Sequence, residues 1–132
     1  MSTELGDTIG ECLFVMCGRY SLTASAETIV SVFGIESLPD YIPRYNIAPS
    51  TQILAIRLED GQRMARTFRW GLIPFWAKDP KIGYKLLNAR SETVHQKPSF
   101  KAAFAKRRIL VITNGFYEWQ RQGKEKKTFY FQ

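Results

Sequence analysis

The sequence predicts an α+β domain built from short strands and a few short helices. Three observations carry this. Turn chemistry recurs between apolar or alternating runs, at Glu59-Asp60-Gly61-Gln62, Asn114-Gly115 and Gln122-Gly123-Lys124. Helical spacing holds only over short stretches, such as Ala26, Ile29, Val30 and Phe33. Pro39, Pro43 and Pro49 break the chain between them. A length of 132 residues is enough for one domain and too little for two. A composition 45% hydrophobic and 23% charged is that of an ordinary globular chain, which excludes a disordered one.

The elements follow in order. Residues 1–15 show no periodicity and read as a polar leader, either an upstream extension or a pro-segment. Cys17 to Leu22 is a first strand. Thr23 or Ser25 caps a helix whose apolar face is Ala26, Ile29, Val30 and Phe33, and Gly34 ends it. Residues 39–49 hold three prolines with interleaved aromatics and are expected to form a stiff, partly buried loop. A strand then buries either Ile53 and Ala55 or Leu54, Ile56 and Leu58, and turns at 59–62 into a returning strand ending at Trp70. Trp70-Gly71-Leu72-Ile73-Pro74-Phe75-Trp76 is a broken loop with two tryptophans. Each ring singly is more often a packing residue, but beside Arg69, Lys78, Lys81 and Lys85 exposed rings would make a base-stacking platform. Ser91 caps a short helix, and a second begins near Pro98 and pairs Phe100 with Phe104. Lys106-Arg107-Arg108 suits that helix's negative end. Ile109 to Thr113 is an apolar strand expected to be fully buried, and Lys127 to Gln132 a last strand that stops without a cap or polar tail, as a truncated domain would. Glu118, between Tyr117 and Trp119, is expected to be desolvated and suited to proton transfer.

Charge narrows the partners. Residues 1–16 hold Glu4, Asp7 and Glu11 and no Lys or Arg, so of the net +7 they contribute −3 and the remainder about +10. That balance favours a polyanion, nucleic acid first, with solubility alone as the bland alternative. Two cysteines without a paired framework suit a reducing compartment. Cys12 and Cys17 have no histidine or further thiol nearby, so no metal and no cofactor is expected. The apolar run 12–16 lacks a basic leader and is too short for a signal peptide or membrane span, so the protein is expected to be cytoplasmic, nucleoid-associated if bacterial.

Met16-Cys17-Gly18-Arg19-Tyr20 is the most telling stretch. A cysteine is usually buried filler. A methionine directly before one, however, is what an initiator followed by a small second residue looks like. If translation starts at Met16, trimming leaves Cys17 with a free α-amine beside its thiol. Such an aminothiol condenses with an aldehyde, first as an imine and then as a five-membered thiazolidine. The amine titrates near about 7.7–8.0 and the thiol near about 8.5, so both reactive forms are accessible at neutral pH.

Together with Arg44-Tyr45-Asn46-Ile47-Ala48-Pro49-Ser50, Trp70-Gly71-Leu72-Ile73-Pro74, Asn88-Ala89-Arg90-Ser91-Glu92 and Gly115-Phe116-Tyr117-Glu118-Trp119, this stretch resembles the SOS-response-associated peptidase (SRAP) family over residues 16–132. The resemblance implies a mainly antiparallel, barrel-like β fold with a few peripheral helices, here lacking its C-terminal part. It also implies capture of abasic sites in single-stranded DNA by a monomer. On that basis Cys17 is the crosslinking nucleophile, Asn88 positions the opened sugar and Glu118 moves protons. Arg19, Asn46, Arg90, Trp70 and Trp76 are the DNA-binding residues. The family's catalytic histidine falls in a motif beyond Glu118 that this chain lacks, and His95 reads as a surface residue. Two other functions stay open: a non-covalent single-strand binding module, and a cysteine peptidase acting on its own leader.

Overall fold

The computed structural model describes residues 17–132. The leader, Cys12 and Met16 lie outside the described residues. Among the described residues, seven strands and two α-helices follow in the order β1 (Arg19–Leu22), α1 (Ala26–Phe33), β2 (Arg44–Ile47), β3 (Gln52–Glu59), β4 (Gln62–Arg69), α2 (Lys101–Lys106), β5 (Leu110–Val111), β6 (Gly115–Gln122) and β7 (Glu125–Phe131), with a 3₁₀ turn over Pro80–Lys85 before α2. Every strand pairing is antiparallel, as expected. One sheet has the order β2-β1-β6-β7 and the other β4-β3-β5, so among the described residues the strands form two open sheets and not a closed barrel.

Local chemistry explains the elements. Ser25, one of the two expected caps, accepts from the Thr28 N–H at 3.2 Å, and Gly34 ends α1 in the left-handed region at φ 59°. Asp60 and Gly61 both have positive φ, the geometry of a two-residue turn whose twist matches the β3–β4 hairpin. Ile53, Leu54, Ala55 and Ile56 are all buried, so both faces of β3 are covered over 53–56, whereas Leu58, expected to be buried with Leu54 and Ile56, is exposed towards the end of the strand. Ile53, Leu54 and Ile56 join Tyr20, Leu22, Ile29, Ile35, Ile47, Ala65 and Ile112 in one core shared by both sheets and α1.

Several expectations need correction. The first strand begins at Arg19, not Cys17. Within the proline-rich stretch, Arg44–Ile47 forms an edge strand, a position where the flanking prolines cost no ladder bonds. Residues 91–96 make successive turns in which one carbonyl serves two donors, Arg90 O taking Thr93 N and Val94 N, and no capped helix forms at Ser91. The 109–113 strand is not fully buried: β5 spans two residues at a sheet edge, Leu110 is 56% exposed, and only Ile112 enters the core at 4%. Asn114 does not make a hairpin turn. Its side-chain oxygen accepts from Thr23 N at 2.7 Å and Ala24 N at 2.9 Å, tying the exit of β1 to the entry of β6. No helix among the described residues is long and apolar enough to cross a membrane.

Candidate functional site

The site lies where β1 begins. Cys17 immediately precedes β1, an inner strand of its sheet, and β1 pairs Tyr20 with Phe116 and Arg19 with Tyr117 on β6. Side chains alternate along a strand, so Glu118, two positions beyond Phe116, shares the face of Tyr20 and Phe116. A second wall comes from the chain after β4. Gly71 sits at φ 125°, and a Cβ there would meet the Gly83 carbonyl oxygen at 2.6 Å, so glycine alone permits this close approach. The approach is held by Leu72 N donating to Leu86 O at 3.0 Å and by the Trp70 indole N–H donating to Leu87 O at 3.1 Å. The next residue, Asn88, is thereby delivered to Cys17, whose carbonyl accepts from the Asn88 amide at 3.1 Å.

Between these walls is an open groove of about 1250 Å³. Cys17, Tyr20, Trp70, Asn88 and Phe116 line it, with Leu72, Leu87, Phe100, Phe104 and Val111 supplying apolar surface. Arg57, Arg69, Lys106, Arg107 and Arg108 also line it. An apolar floor with a cationic border suits a ligand that is both ringed and anionic.

Burial pushes the Cys17 thiol above its ordinary range, and the Glu118 carboxylate adds to this by opposing a nearby thiolate. The thiol donates a weak bond to the Arg19 carbonyl at 3.6 Å. Tyr20 is pushed up to about 12 by burial, partly offset by Arg44. Ionisation of Cys17 should accordingly come late. Its alkylation rate against pH is expected to rise with a midpoint above that of a free thiol, and Glu118→Gln should move that midpoint down by removing the repulsion. A midpoint at or below the free-thiol value would contradict this.

The structure brings together Cys17, Asn88 and Trp70 in the groove wall, with Glu118 in electrostatic reach of the thiol. Glu118 is half-buried, less enclosed than its aromatic neighbours suggested. Trp70 packs against Tyr20 with ring centroids 5.4 Å apart, so it is a structural wall as well as a groove surface. Arg19 and Asn46 bond each other at 3.0 Å; by alternation Arg19 falls on the opposite face of the sheet from Tyr20. Trp76, 48% exposed, and the exposed Arg90 do not line the groove. His95 is exposed, contacts Gln96 and does not line the groove. No group of three or more His, Cys, Asp or Glu that could hold a metal occurs among the described residues. The sequence carried no sign that Lys106, Arg107 and Arg108, all exposed, line the groove. That run was visible, but a helix-dipole account satisfied it.

Residues 16–132 match the SOS response associated peptidase (SRAP) family. The chain belongs to that family. Among curated SRAP relatives it is similar to the abasic site processing protein YoaM of Bacillus subtilis, 43% identical over 115 residues that cover 85% of this chain and 51% of YoaM. It is also similar to the abasic site processing protein HMCES of Xenopus tropicalis, 38% identical over 102 residues, covering 68% of this chain and 30% of that protein. The chain thus spans about half the length of the bacterial relatives it matches, such as YoaM and YoqW. Among solved structures it is similar to a Bacteroides thetaiotaomicron protein, with TM-score 0.70 and 27% identity over 86% of this chain and 53% of that one. A phage-related protein from Bordetella bronchiseptica gives TM-score 0.67 and 29% identity over 86% of this chain and 54% of that one.

Proposed function

We propose that this SRAP chain captures abasic sites in single-stranded DNA as a covalent thiazolidine on Cys17. The observation that carries the reading is the Asn88 amide bonded to the Cys17 carbonyl inside a groove bordered by cations. The relatives named abasic site processing proteins support the substrate class. With Cys17 as first residue, its amine attacks the C1′ aldehyde of the ring-opened sugar and one water leaves, giving an imine. The Cys17 sulfur then adds to the same carbon. Its proton passes to the imine nitrogen, so the balance is one aldehyde and one aminothiol giving one thiazolidine and one water. Neither step oxidises or reduces anything.

Asn88 fixes the Cys17 backbone so that both reacting atoms of that residue face the groove. Glu118 relays protons between water, amine and thiol. Arg57, Arg69 and Lys106 to Arg108 take phosphates along the groove, and Arg19, Asn46, Arg90 and Trp76 extend the contact outside it. No second subunit is needed for any of these roles.

A denaturing gel tests the reading. The chain beginning at Cys17 is expected to give a heat-stable adduct with an abasic-site oligonucleotide and none with the same strand bearing a base. Cys17→Ser should give no heat-stable adduct, since its free amine supports only a transient imine. Retention without any adduct would leave a non-covalent binding module, and an adduct from Cys17→Ser would put the chemistry elsewhere.

A further inference from the structure

Two buried side-chain oxygens have no hydrogen-bond partner among the described residues, Tyr20 Oη and Ser50 Oγ. They differ in surroundings. Ser50 sits in the connection into β3 with φ 67°, its N–H bonded to Trp70 O, and does not line the groove. Tyr20 lines the groove alongside Cys17, Asn88 and Trp70 although only 5% of it is exposed.

An orphaned buried hydroxyl is costly, because water is given up and nothing replaces it. Nothing about the packing requires that oxygen: the ring's contact with Trp70 and its place in the core would be served by phenylalanine. No acceptor among the described residues takes its O–H. A donor held in place beside a nucleophile, with its partner missing, suits a ligand oxygen.

We propose that Tyr20 is a substrate-contact residue whose hydroxyl donates a hydrogen bond to the aldehyde oxygen of the ring-opened sugar over Cys17. This rests on the abasic-site reading above. Tyr20 transfers no proton. It stays a neutral phenol and polarises the C1′ carbonyl while the Cys17 amine attacks, and the oxygen it holds is the one that leaves as water. A phenol ionising only near pH 12 remains a donor throughout the working range. DNA is held mainly by the cationic border, so the hydroxyl contributes to rate more than to affinity.

The test compares the parent and Tyr20→Phe, both trimmed to Cys17, on the abasic-site oligonucleotide. Three readouts are taken: melting temperature, the DNA concentration giving half-maximal capture, and the maximal capture rate constant. Tyr20→Phe is expected to melt at the same or a higher temperature, with an unchanged half-maximal concentration and a rate constant lower by about tenfold, the scale of one lost hydrogen bond. Capture at the parental rate would overturn the inference. So would a lower melting temperature with a proportionate loss of capture, which would make the hydroxyl structural. A parent that forms no adduct would overturn the abasic-site reading itself, and this inference with it.

Discussion

A chain that keeps residues 1–15 ahead of Met16 is expected to bind abasic-site DNA and form no thiazolidine, whereas one that begins at Cys17 forms it in high yield. The difference is all-or-none because it rests on the Cys17 nitrogen. As an amide that nitrogen has no basic lone pair and cannot form the imine, and without the imine the sulfur has no ring to close. Thiol addition alone gives a hemithioacetal that reverts on heating. Binding should survive the leader because the cationic border of the groove lies at Arg57, Arg69 and Lys106 to Arg108. The three leader carboxylates, Glu4, Asp7 and Glu11, should weaken it modestly and less so at high salt. Cys12→Ser should change nothing in either form. Gel retardation and a denaturing gel on the same samples separate the two effects. Equal adduct from the leader-bearing form would remove the aminothiol from the account.

Glu118→Gln is expected to slow capture, or its reversal, by about 10²–10⁴-fold, the usual reach of general acid–base catalysis. Gln keeps the length and hydrogen-bonding reach of Glu, so the β6 ladder with β1 and β7 should hold. It removes the group that can carry a proton between amine and departing water. The carboxylate also repels a thiolate at Cys17, so its loss eases thiol ionisation and works against the slowing. The two effects separate with pH. Alkylation of Cys17, which needs only the thiolate, should speed up in Glu118→Gln while capture slows. Parental capture rates would exclude Glu118 from proton transfer, and a fall in DNA affinity of the same size would show that it acts in binding.

Legibility in the sequence followed the range of the interactions involved. The α1 cap at Ser25, the left-handed Gly34 and the Asp60-Gly61 turn are settled within four residues, and each was readable. Cys17 and Glu118 were each legible from their immediate neighbours, but Asn88 and the grouping of all three were readable only through the resemblance, since residues 71 and 101 positions apart share no local pattern. Their meeting depends on Gly71 passing close to Gly83 and on the Trp70 indole reaching Leu87. Burial was the poorest guide. Ile109 to Thr113 has the composition of a core strand, yet its sheet position leaves Leu110 and Val111 exposed. Tyr20 looked like one aromatic among many, and its significance lies in an unmatched oxygen that only coordinates reveal. Alternation along β1 sets Arg19 on the face opposite the groove-lining Tyr20, whereas Cys17 lines the groove from the segment before the strand, where that alternation does not hold.

The intact mass of the crosslinked species, measured before and after borohydride treatment, tests the central claim most directly. The account predicts a mass equal to the chain from Cys17 onward plus the abasic oligonucleotide less one water, unchanged by borohydride because the closed ring has no imine to reduce. Fragmentation should place the sugar on Cys17. A mass that retains residues 1–16, a gain of two hydrogens on reduction, or a sugar mapped to a lysine would contradict it.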